Sequence, residues 1–116
     1  MDLWSQQQDD LVKLDAGAPT TIVSLDLPAG SYALDASVTV YSTNDYGDVF
    51  LCFFPGYAQE DAATTTRNQV ANVTVHADAT LAAPATIELD CVAELGGSVA
   101  IQGYIRALKV DTITHL

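Results

Sequence analysis

The sequence is poor in cations: Lys13, Arg67, Arg106 and Lys109 are the only lysines and arginines, against fifteen acidic residues, a formal charge of −11. Such a surface repels nucleic-acid phosphates and anionic headgroups, so neither nucleic acid nor membrane is an expected partner. Cysteine is scarce too, with Cys52 and Cys91 alone. Two cysteines cannot make a disulfide-rich scaffold, and His76 and His115 stand at spacings no zinc motif uses, so no metal or other cofactor is expected. The longest apolar run, "VFLCFF" at 49–54, falls far short of the roughly 18 residues a membrane-spanning helix needs. There is no glycine-rich phosphate loop and no serine in a nucleophile elbow. No stretch carries a helical period long enough for an α/β fold. The opening "MDLWSQQQDDLVKL" has neither the basic start nor the apolar stretch of a secretory signal, and synthesis inside the cell is expected.

What the chain does contain is strand. At 116 residues, 49% of them hydrophobic, it suffices for one domain with its own core. "LDLPAGSYALDASVTVY" at 25–41 places Pro28 and Gly30 where a type I turn accepts them. The flanking segments read as a hairpin or as two strands meeting at a corner. After the turn, Leu34, Ala36, Val38 and Val40 share one face and Asp35, Ser37 and Thr39 the other, the period of a half-buried strand. Val73, Val75 and Ala77 alternate in the same way with Asn72, Thr74 and His76, and Ile87, Leu89, Cys91 and Ala93 oppose Glu88 and Asp90. "VFLCFF" does not alternate and is expected to be a central strand covered on both faces. Residues 55–69, including the Ala/Thr-rich "EDAATTT", read as a long exposed connection, and 98–116 as a long strand bent near Gly103. The expectation is an all-β antiparallel sandwich of about seven or eight strands, with residues 1–14 as an N-terminal arm and 15–116 as the sandwich.

Side chains that carry chemistry elsewhere have plain structural readings here. Cys52 and Cys91 each fall in a strand expected to be buried, which leaves a disulfide tying the two sheets or two buried thiols. A bacterial cytoplasm would delay such a bond until release. "NDYGD" at 44–48 offers oxygens but lacks the calcium loop of an EF-hand, and reads as a turn. The "NVT" at 72–74 fits a glycosylation acceptor by coincidence, inside a strand. No pair of carboxylates is placed by spacing for glycosidase work, and no enzyme activity is expected. Trp4 with Tyr32, Tyr41, Tyr46, Tyr57 and Tyr104 suits core edges and subunit contacts better than a carbohydrate platform.

"LPAGSY" (27–32), a cysteine in a central apolar strand, "LAAPATIELDC" (81–91) and "AIQGYIRALKV" (100–110) together resemble a short β-sandwich module of actinobacterial proteins and of virion proteins of their tailed phages. The module is similar to jelly-roll domains of the tumour-necrosis-factor and C1q type, which often assemble as trimers. The resemblance spans about residues 20–112 and implies a jelly-roll-like sandwich. It implies a structural role in a virion: a capsid decoration or cement subunit bridging major capsid proteins, made in the host cytoplasm. A receptor- or glycan-binding head of a tail fibre, or a secreted binding module, is the alternative. No coiled-coil stalk or Gly-X-Y repeat precedes the sandwich in this sequence, which favours decoration. A homo-oligomer, first of all a trimer, is expected, with Phe50, Phe53, Phe54 and Tyr57 as contacts and Leu3 and Trp4 docking the arm on a neighbour.

Overall fold

The computed structural model describes residues 3–9, 11–14, 17–42, 48–56, 60–65, 70–94 and 98–110; the side chains of Asp48, 60–65 and Ser98 are not described. Among these residues run β1 (Leu3–Gln8), β2 (Val12–Leu14), β3 (Thr20–Leu27), β4 (Gly30–Ser42), β5 (Asp48–Phe53), β6 (Glu60–Thr65), β7 (Val70–Leu81), β8 (Ala85–Ala93) and β9 (Ser98–Val110). One sheet has the order β1-β9-β4-β7, with β2 also on β9, and the other β3-β8-β5-β6. Every pairing is antiparallel. Because β1 and β2 pair with successive stretches of β9, they form one interrupted strand. Counted as one, they give eight strands in which every connection but β5 to β6 crosses between sheets, the path of a jelly roll.

Alternation in the strands explains the two layers. Leu34, Ala36, Val38 and Val40 of β4, Val73, Val75 and Ala77 of β7, and Ile87, Leu89, Cys91 and Ala93 of β8 are all buried, while their neighbours face outward. The sandwich is therefore as expected from the pattern. Of the two readings of "LPAG", the corner holds, because β3 and β4 lie in different sheets. Other local readings change. The stretch read as a long connection contains β6, an edge strand paired with β5 from Phe53↔Glu60 to Asp48↔Thr65. Its threonines favour strand, but the pairing partner decides. The N-terminal segment read as an arm is, where described, part of the five-stranded sheet, and Leu14 is in the core.

Tyr32 pins the corner. Its ring is fully buried, its hydroxyl donates to the Pro28 carbonyl at 2.8 Å, and Trp4 of β1 meets it edge-on with centroids 5.5 Å apart. Tyr32→Phe removes one partly buried hydrogen bond and is expected to cost about 1 kcal/mol in urea unfolding. An unchanged midpoint would show that water replaces the hydroxyl.

The expected bend in the last strand falls at Ile101, where the ladder skips from Thr39↔Gln102 to Val40↔Ala100. Gly103 has another use. A Cβ there would meet Ile22 Cγ2 at 2.8 Å, and Ile22 is a buried β-branched side chain with little freedom to move aside. Gly103→Ala is accordingly expected to destabilise by about 1–3 kcal/mol through overpacking. Removing the opposing methyl with Ile22→Ala should make the two losses less than additive; strict additivity would disconnect the two sites.

Candidate interaction surface

The outer face of the five-stranded sheet carries an internally paired polar row between apolar positions, Leu3 and Leu108 towards one end and Tyr41 and Val70 towards the other. Register aligns Ser5, Arg106, Asp35 and His76 in one row across β1, β9, β4 and β7. Arg106 donates to Asp35 Oδ2 from Nη2 at 2.6 Å and from Nε at 3.1 Å, and Nη2 also reaches the Tyr104 hydroxyl at 3.2 Å. Its guanidinium carbon lies 4.7 Å from the Tyr104 ring centroid, and His76 Nδ1 is 3.7 Å from Asp35 Oδ1. The hydrogen bond to Asp35, then its charge, raises the Arg106 pKa above the ordinary value. The guanidinium thus stays charged at any ordinary pH. Solvent screens the whole row, so it orients these side chains more than it stabilises the fold.

The outer face of the four-stranded sheet is different. β5 turns Val49, Leu51 and Phe53 outward, and Leu51 pairs in register with Val92 of β8. Val49 is 40% exposed and the other three are half-buried. A solvated sheet face ordinarily alternates to polar residues, but β5 places none of the described ones there. Beside this apolar strip lie Asp90, paired with Phe53, and, just past β8, Glu94, whose N–H donates to the Val49 carbonyl, while Glu88 and Asp26 stand further along the same face. Two of these carboxylates accept from hydroxyls, Thr86 to Asp26 at 2.5 Å and Thr21 to Asp90 at 2.8 Å. No lysine, arginine or histidine occurs anywhere in β3, β5, β6 or β8, which carry Asp26, Asp48, Glu60, Asp61, Glu88 and Asp90.

The residues expected at interfaces separate sharply. Phe50 and Phe54 are fully buried, which corrects their reading as contacts: the strand's parity turns both into the core. Phe53 lies outward, and Leu3 is 63% exposed on the edge strand β1. Trp4 is half-buried against Tyr32 of its own sandwich. Tyr57, like Tyr46 and most of "NDYGD", lies outside the described residues. The central strand read as covered on both faces is covered on one. Cys52 and Cys91 oppose each other in the β5–β8 ladder with Cα atoms 4.1 Å apart and are joined by a disulfide. The bond therefore lies within the four-stranded sheet and does not tie the two sheets. Sequence reasoning passed over Val49, Leu51 and Val92. The available signal was Val92, an apolar residue on the phase that Glu88 and Asp90 make polar.

Among the described residues no group of three or more His, Cys, Asp and Glu side chains is arranged to hold a metal. The fold and these surfaces define an all-β jelly-roll domain with one outer face crossed by a paired polar row and the other mixed apolar and acidic. No family model matches the sequence, and no curated protein matches it. Among solved structures the chain is similar to one from the crystal structure of the T13 viral particle of infectious bursal disease virus: TM-score 0.63, 10% identity, covering 93% of this chain and 31% of that one. It is similar also to a chain of the Gx strain of the same virus, with TM-score 0.64, 12% identity, and 97% and 34% coverage. This chain spans about a third of the length of either, and at such identity the likeness is one of fold.

Proposed function

We propose that this chain is a structural component of a virus particle, a decoration or cement subunit that stabilises a shell by bridging neighbouring shell proteins. The observation that carries the reading is the apolar strip Val49, Leu51, Phe53 and Val92 on an outer sheet face, because a monomer with no partner gains nothing by keeping branched and aromatic side chains in water. The fold likeness to chains of a viral particle supports the setting. Binding energy comes from burying the strip, and the flanking carboxylates set orientation and partner choice. In this reading the chain works in the virion, on other virion proteins, without cofactor or catalytic step. A closed homotrimer is the assembly proposed, with Leu3 on the outermost strand as a contact residue.

Particles purified from cells that produce the chain test the proposal by protein composition and by antibody labelling in the electron microscope. Many copies per particle, distributed over the shell, are expected. Absence from particles, or a few copies confined to one appendage, would overturn the decoration role.

A further inference from the structure

We infer that the outer face of the four-stranded sheet is a docking surface for a basic protein partner, one whose contact patch combines lysine or arginine with apolar side chains. The inference deepens the virion reading by naming the chemistry of what is bound, but its evidence is local. β5 is an inner strand, between β8 and β6, so its outward Leu51 and Phe53 lie well inside the sheet face and not at a frayed margin. That placement is where interface centres are found, with the charged residues in the rim. Here Glu88, Asp90 and Glu94 provide the rim on the β8 side.

Charge selects the partner. The outer face of these strands shows the described carboxylates Asp26, Glu88 and Asp90, with Glu94 just past β8, and none of the four strands holds a basic residue; at physiological salt such charges act over about 8 Å, so they govern what docks directly on the face. A second copy laid face to face would oppose carboxylate to carboxylate. A second copy laid face to back would meet Lys13 and Arg106, but Arg106 is already held by Asp35, and Asp9, Asp35 and Asp78 stand on that same face. Among the described residues that back face thus offers Lys13 and the Asp35-held Arg106 against three carboxylates, a weaker complement to the acidic face than a cationic partner. Nucleic acid and anionic bilayers are repelled by it. What remains is a different protein, cationic around an apolar centre.

The test uses the full chain, isotopically labelled, titrated in solution with a short peptide alternating lysine and leucine, and in parallel with one alternating glutamate and leucine. The lysine peptide is expected to shift the amide signals of 49–53 and 88–94 first and saturably, and to weaken about tenfold between about 50 and 300 mM salt. Glu88→Lys combined with Glu94→Lys, both at exposed positions, should weaken it about fivefold or more. Leu51→Ser should weaken it several-fold with the charges intact, provided the melting temperature shows the variant folded. Failure of the lysine peptide to bind, equal binding of the glutamate peptide, or first shifts in β4, β7 and β9 would each overturn the inference. Concentration-dependent shifts of 49–53 without peptide would assign the face to a second copy and overturn it as well. If peptide binding holds but particles lack the chain, the docking face stands and the virion setting falls; the opposite pair of results removes the face alone.

Discussion

Replacing Cys52 and Cys91 together by alanine is expected to lower the unfolding free energy by about 4 kcal/mol, a large part of what a domain of this size possesses. The bond joins residues 39 apart in sequence, and closing a loop of that length removes conformational entropy from the unfolded chain. The same closure brings β8 back onto β5 across the whole of β6 and β7, so its loss should also slow the search for the correct strand pairing. Urea unfolding of the oxidised protein and of the double variant measures the difference. A loss below about 1 kcal/mol would mean that the unfolded chain is already compact around this pair. Both cysteines are fully buried, so an external thiol reaches the sulfurs only when the sheet opens. Reduction of the native protein is therefore expected to accelerate steeply with sub-denaturing urea, and a flat dependence would contradict that protection.

The adjacent phenylalanines at 53 and 54 should respond in opposite ways to the same substitution. Phe54 is fully buried in the core cluster, whereas Phe53 lies on the outer face of the four-stranded sheet. Phe54→Ala leaves a cavity in a closely packed interior and is expected to cost about 3–5 kcal/mol. Phe53→Ala removes partly solvated area and should cost about 1 kcal/mol or less, while weakening the association tested above. Equal destabilisation by the two would mean that the strand's parity had been assigned to the wrong faces. A loss of binding confined to the Phe54 variant would remove the outer strip from the interface.

The strands were legible where period alone decides. In 34–40, 72–80 and 86–91, each second residue is apolar and the rest are polar, so local sequence states both the conformation and the buried face. The corner at Pro28 and Gly30 was legible as a break for the same reason, since Gly30 adopts φ +150°, a conformation that L side chains rarely take. Run 49–54 was misread because it is apolar at every position: periodicity cannot tell a strand covered on both faces from one that shows an apolar face to solvent. β6, with the weakly patterned "EDAATT", takes its conformation from the ladder that β5 offers it.

The candidate surface was less legible than the fold. Val49, Leu51 and Phe53 belong to one strand, Val92 to another some forty positions on, and only the β5–β8 register makes them a single strip. The two cysteines met through that same register, and no count of their spacing could choose between a bond across the sheets and one along a ladder. Likewise the cations and carboxylates of the chain are scattered in sequence, and it is the jelly-roll crossing of successive strands that places Lys13, Arg106 and Lys109 in one sheet and leaves the other with acids only. Conformation and burial phase follow from forces acting between near neighbours along the chain, so they can be read locally. Which strands become neighbours depends on closing long loops at an entropic cost that only the complete core offsets, and so the docking face, the disulfide and the charge division exist only once the two sheets have assembled.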